Sequence, residues 1–227
     1  MDIQNYYVEQ GQGETLILLH GNGEDGSYFV HQMKYFSRKY RVIAVDTRGH
    51  GKTPRGEAPF TIEQFADDLY AFMSAHEIEK AHILGFSDGG NIAMVFAMKY
   101  PERVDRLILN GANLNGRGVK PSVQIPIIWG YRSCKKFAKK SPDAKKNAEM
   151  LGLMVNEPHL REEDLEKIKA KTLVIAGTKD LIKKSHTEAI YANIDDSELV
   201  FIEGDHWCAN KKYWRFNMAV EKFLDEE

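Results

Sequence analysis

The stretch Gly85-Phe86-Ser87-Asp88-Gly89-Gly90 decides how the rest of this chain is read. It follows a short apolar run, Ala81-His82-Ile83-Leu84, and opens a helical segment from Asn91 to Tyr100. Glycines on both sides of a serine permit a sharp strand-to-helix turn, which lifts the hydroxyl out above a sheet. As a bare pattern Gly-x-Ser-x-Gly is weak and fits a plain glycine turn. The flanking strand and helix are what make it read as a nucleophile elbow.

Working outward, the same kind of apolar run recurs at Thr15-Leu19, Val42-Asp46, Val104-Asn110, Thr172-Ala176 and Glu198-Ile202. Short, nearly continuous apolar strands are those covered on both faces, as in a parallel sheet. Helical patterns lie between them. The clearest is Thr61 to His76, with Ile62, Phe65, Ala66, Leu69, Phe72 and Met73 on one stripe. Thr61 and Gln64 stand at capping-box spacing, which predicts two helix N-terminal donors satisfied together. Alternating strand and helix means an α/β fold: a mostly parallel, doubly wound sheet of about seven or eight strands flanked by helices. Gln4-Glu9, ahead of Gly11-Gln12-Gly13, reads as a hairpin or edge connection.

The alternation breaks once. From Leu114 to Lys169 no strand pattern appears, yet the composition is helical, so residues 114–169 read as an inserted helical cap. Residues 1–113 and 170–227 then form the core. The first part of the insertion is basic (Arg117, Lys120, Arg132, Lys135, Lys136, Lys139, Lys140, Lys145 and Lys146 against Asp143). These are either a solvated face or a local field that attracts anionic substrates. Ile125, Ile127, Ile128, Trp129, Leu151, Leu153 and Met154 are candidates for its pocket-facing or core surface.

Composition excludes several classes. With 227 residues, 43% hydrophobic and 28% charged, the chain is long and apolar enough to bury a core and is not a disordered segment. A balance of 31 basic and 33 acidic residues lacks the basic excess of a nucleic-acid binder. No apolar run suits a membrane span, and the N-terminus lacks a signal-peptide pattern. Cys134 and Cys208 form no ligand cluster and read as free thiols. The expectation is a soluble, cytoplasmic protein without membrane or nucleic-acid partners. Monomer and homodimer both stay open.

A serine hydroxyl needs a base, and the base needs an orienting partner. Strand Thr172-Ala176 leads into Gly177-Thr178-Lys179-Asp180, and strand Glu198-Ile202 into Gly204-Asp205-His206. Asp180 and His206 thus follow carboxyl ends of parallel strands, the edge where open α/β sheets build sites. The order Ser, Asp, His makes His206 the proton shuttle and Asp180 its orienter. Strand Thr15-Leu19 ends in His20-Gly21-Asn22-Gly23. The backbone amides of Asn22 and Asp88 are therefore candidates for an oxyanion hole. His20 reads as a buttress of that loop. The Asp88 carboxylate either answers the helix dipole or faces the pocket to accept a substrate ammonium or hydroxyl. This chemistry calls for no cofactor and no metal.

These segments, together with Asp46-Thr47-Arg48-Gly49-His50-Gly51 and Tyr100-Pro101-Glu102-Arg103-Val104, resemble the α/β-hydrolase fold family along nearly the whole chain. The Ser-Asp-Gly-Gly elbow is similar to the biphenyl-hydrolase-like branch. The resemblance implies Ser87, Asp180 and His206 as a triad, the Asn22 and Asp88 amides as the oxyanion hole, and 114–169 as the cap. It also implies a structural role for Arg48 and His50, tying loops together. Asp205 departs from the usual small residue before the histidine, and the sheet is one strand shorter than in larger relatives. A serine at 87 argues against the dehalogenase and epoxide-hydrolase branches, which use aspartate there. The expectation is a carboxylesterase acting on a small-molecule ester, ahead of C–C bond hydrolysis, thioester hydrolysis or non-catalytic ligand binding.

Overall fold

The computed structural model describes residues 2–226. Seven strands form one sheet: β1 (Tyr7–Gln10), β2 (Thr15–Leu19), β3 (Arg41–Val45), β4 (Ala81–Phe86), β5 (Val104–Asn110), β6 (Lys171–Gly177) and β7 (Ser197–Ile202). Their order is β1-β3-β2-β4-β5-β6-β7. All neighbours are parallel except β1, which pairs antiparallel with β3. The first strand is therefore an edge strand beside β3, not a hairpin partner of β2, and it begins three residues later than Gln4.

Side chains of a strand alternate faces, and the two faces here have separate cores. Leu16, Leu18, Val42, Ala44, Leu84 and Ile108 pack toward α1 (Val30–Phe36) and the C-terminal α8 (Tyr213–Asp225). Ile17, Leu19, Ile43, Val45, Ile83 and Leu107 pack toward α2 (Ile62–Ala75) and α3 (Asp88–Lys99). Apolar residues at consecutive positions are thus required by both faces at once.

Thr61 caps α2, its Oγ1 accepting from the Gln64 amide at 3.2 Å. The reciprocal half of the expected capping box is replaced: the Gln64 side chain donates to Asp68 Oδ1 at 3.1 Å. Asp68 is recruited in turn by Arg48, whose side chain is fully buried. The Arg48 Nε and Nη2 groups both donate to the Asp68 carboxylate at 2.7 Å, and Nη2 also donates to Asp2 at 2.7 Å. A buried bidentate guanidinium ties the loop after β3 to α2 and the N-terminal segment. His50 holds the same loop through Thr47 and the Arg48 carbonyl.

Between β5 and β6 the chain forms α4 (Pro121–Phe137) and α5 (Pro142–Asn156), packed on each other, and a short 3-10 helix (Glu162–Lys167). Proline begins both long helices, where its missing N–H costs nothing. Val119 adds one antiparallel bridge to Ile182 that no pattern announced. Leu153 is buried as anticipated, but Ile125 and Trp129 are not. Trp129 is 71% exposed on the outer side of α4, because Gln124, not the apolar stripe, turns inward to bond the Met154 carbonyl at 3.1 Å. The cationic side chains from Arg132 to Lys146 are exposed. Two further helices, α6 (Lys184–Ala192) and α7 (Cys208–Lys211), complete the chain. Cys134 and Cys208 are unpaired. No described helix is long and apolar enough to cross a membrane.

Candidate active site

The sheet order places the site. From β2 the chain crosses to β3 on one side, and from β4 to β5 on the other, so the loops after β2 and β4 part company at their carboxyl ends. That divergence marks the switch point of the sheet, the usual binding position in open α/β folds. His20–Gly23 follows β2 and Ser87 follows β4 at that point.

Ser87 holds φ 54° and ψ −119°, a strained geometry for a residue with a side chain. Its neighbours show what maintains it. A Cβ on Gly89 would lie 2.0 Å from the Leu19 carbonyl oxygen, and one on Gly85 would lie 2.2 Å from that of Gly89. The elbow is therefore pressed against β2 at positions only glycine can occupy. The Ser87 amide donates to the Asn110 carbonyl at 2.8 Å, and its carbonyl accepts from Asn91 at 3.0 Å.

The loops after β6 and β7 bring the other two residues to the elbow. His206 Nδ1 lies 2.7 Å from Asp180 Oδ1, and Nε2 lies 3.0 Å from Ser87 Oγ. Both His206 and Asp180 are buried. Asp180 is itself oriented by the Ile182 amide, which donates to Oδ1 at 2.9 Å, and Lys120 at the start of α4 donates to its carbonyl. With Nδ1–H donating to the carboxylate, Nε2 is left to accept the serine proton. The imidazole packs at 4.8 Å from the Phe86 ring, which stacks on Tyr28.

Asp88 opens α3, in the turn whose amides have no intrahelical acceptor. Its side chain caps nothing. The carboxylate is buried and accepts from Asn22 Nδ2 at 2.9 Å and Asn91 Nδ2 at 3.2 Å. Burial pushes it up to about 6, against the opposing pull of the Asn22 hydrogen bond and His206. His20 takes the buttressing place foreseen for it. Its Nε2 accepts from the Thr47 amide at 3.1 Å, so Nδ1–H donates to the Gly21 carbonyl at 2.8 Å. Burial lowers its pKa and keeps it neutral.

Sequence reading passed over Glu24 and Trp207. Glu24 accepts from the Gly21 amide at 3.3 Å, and burial raises its pKa beside His206 and Trp207. Asp205 accepts from the Trp207 amide at 3.1 Å and pairs with Lys211, so it organises the turn after the histidine. The only signal for Glu24 was its position three residues beyond Gly21, in a tight turn.

Residues 14–132 match the alpha/beta hydrolase fold family, and the chain belongs to that family. It is 26% identical to the serine hydrolase BPHL of Homo sapiens, covering 98% of this chain and 83% of that one. It is 28% identical to a 2-hydroxy-6-oxo-6-phenylhexa-2,4-dienoate hydrolase of Comamonas testosteroni, covering 98% and 92%. The enol-lactonase of Burkholderia xenovorans LB400 superposes with a TM-score of 0.84 at 22% identity, over 99% of this chain and 97% of the other, and shows the shared fold. Other relatives are longer: the match to uncharacterized mycobacterial proteins, 34% identical over 115 residues, spans 33% of their length.

Proposed function

We propose that the protein is a serine hydrolase that cleaves a carboxylic ester of a small molecule. The observation that carries this reading is the continuous hydrogen-bonded chain Asp180–His206–Ser87. In the first half-reaction Ser87 Oγ attacks the ester carbonyl carbon while its proton passes to His206 Nε2. The carbonyl oxygen takes the negative charge and meets the backbone amides of Asn22 and Asp88. His206 then gives its proton to the departing alkoxide as the C–O bond breaks, leaving an acyl group on Ser87. Water, deprotonated by His206, attacks the acyl carbon. Collapse releases the acid and returns the proton to Ser87. Asp180 stays ionised and stabilises the imidazolium formed in each half.

Residues 114–169 serve in this reading as the cap over the site, with α5 beside the loop after β2. The hydrolase names of the two relatives aligned over nearly the whole chain support the class of reaction. Two unpaired cysteines fit a reducing compartment such as the cytoplasm. A second reading places hydrolysis of a 2-hydroxy-6-oxo-dienoate on the same three residues, and the Comamonas relative favours it. A panel of p-nitrophenyl esters of rising chain length, run beside such a dienoate, decides between them. Ester turnover that disappears in Ser87→Ala is the expected result. No turnover of any ester, with rapid consumption of the dienoate, would overturn the first reading in favour of the second.

A further inference from the structure

The polar groups beside Ser87 continue well past the residues that would do chemistry. Asn22 Nδ2 donates twice, to Asp88 Oδ2 at 2.9 Å and to the Met150 carbonyl of α5 at 2.7 Å. The other Asp88 oxygen accepts from Asn91 Nδ2 at 3.2 Å. Asn91 then meets Asn113 twice: Nδ2 reaches Asn113 Oδ1 at 3.2 Å, and Oδ1 accepts from the Asn113 amide at 2.8 Å. Asn113 Nδ2 donates to the Asn115 carbonyl at 3.0 Å, and the Asn115 side chain accepts from the Arg117 amide, also at 3.0 Å. The result is one strap. It starts on α5, crosses the loop after β2 and the elbow helix, and ends where the chain leaves the core for α4.

We propose that this strap is a positioning device through which docking of α5 sets the placement of the Asn22 and Asp88 amides, so that cap and oxyanion hole form as one unit. The inference rests on the hydrolase reading only in assigning those two amides to the hole. Asn22, on the loop after β2, and Asp88, the first residue of α3 after β4, lie 66 positions apart on segments that leave neighbouring strands in opposite directions. A side-chain bond between them fixes a spacing that neither segment sets alone. A carboxylate suits the joint because it only accepts, and both its partners are amide donors. An asparagine or a protonated carboxyl there would turn an N–H or O–H against a donor. The charged groups facing Asp88 are His206, which favours its ionised form, and Glu157 just past α5, which opposes it.

The experiment uses Asn22→Ala, Asp88→Asn, their combination, and Asn113→Ala at the far end. It reads kcat and KM for a p-nitrophenyl ester together with amide hydrogen exchange. The expected result is a kcat loss of about 10- to 100-fold in the Asn22 and Asp88 variants, with KM moving far less. Exchange should rise in residues 142–156 of the same variants while α2 stays protected. The combined variant should be no worse than the poorer single one, since both cut the same link. Phosphonate labelling of Ser87 in each variant confirms that the elbow is folded. Unchanged kcat in Asn22→Ala would overturn the proposal. So would kcat losses without faster exchange in α5, or losses that simply multiply in the combined variant. Should the wild type form no adduct at Ser87, the hydrolase reading fails instead, and exchange in α5 still decides whether the strap holds the cap.

Discussion

Helices α3 and α4 are both helices of one chain, yet they are held in opposite ways. Every residue from Asp88 to Ala97 of α3 is buried, so the elbow helix has no face on which a change goes unnoticed. In the seventeen residues of α4 only Gln124 is buried, so that helix is held at a few points. Gln124 bonds α4 to α5, and α5 is tied in turn to the core by polar contacts, Asn22 to Met150 and the Arg55 pair with Glu149 at 2.9 Å. The difference teaches where each kind of information sits. The candidate triad stands on tightly packed core, while α4 of the insertion buries little of its own surface.

Breaking the core side of the comparison gives the largest effects. Asp180→Asn should lower kcat for the preferred ester by about 10³- to 10⁴-fold, through loss of imidazole orientation and imidazolium stabilisation. Steady-state kinetics checks this, and activity near wild type would remove Asp180 from the site. Next comes Gly89→Ala. Its Cβ would meet backbone oxygens of both Leu19 and His20, which cannot swing aside as a side-chain tip can. A loss of about 3 kcal/mol or more in urea unfolding is expected, and a loss below 1 kcal/mol, on the scale of surface changes, would show the elbow to be less tightly pressed than described.

Asp88 supplies an effect of intermediate size, whose sign follows from its raised pKa. The folded state holds the proton up to about pH 6, whereas an unfolded carboxyl loses it near its ordinary value of 3.8. The stability contributed by this group is thus fully present below the unfolded value and is lost as pH rises through 6. Between pH 4 and 7 the wild type should lose on the order of 2–3 kcal/mol relative to Asp88→Asn. Urea titrations of both proteins across that range check it, and parallel pH profiles would contradict it. The smallest effect belongs to the insertion: Trp129→Ser, at an exposed position of α4, should change stability by less than about 0.5 kcal/mol. A larger loss would mean that α4 is packed more like α3.

The same contrast explains what could be read from the sequence. The convergence of Ser87, Asp180 and His206 was legible because each follows an apolar strand within a few residues, and a parallel sheet gathers such strand ends along one edge. The edge position of β1 was less so, because a four-residue strand beside β3 differs from a hairpin strand only in its partner. The exposure of Trp129 was misread because an apolar residue on a helix implies a buried face only when enough neighbours share that face. The Asn22 bond to Met150 joins residues 128 positions apart and leaves no periodicity at all. Long-range polar contacts of this kind depend on where two loops meet, which no local pattern encodes.

The central claim is that Ser87 is a nucleophile activated by His206. Its most direct test is peptide mapping by mass spectrometry after reaction with a serine-directed fluorophosphonate. The account predicts a single adduct on the peptide bearing Ser87, absent in Ser87→Ala and formed far more slowly in His206→Ala. An adduct on another residue, or equal labelling with and without His206, would contradict it.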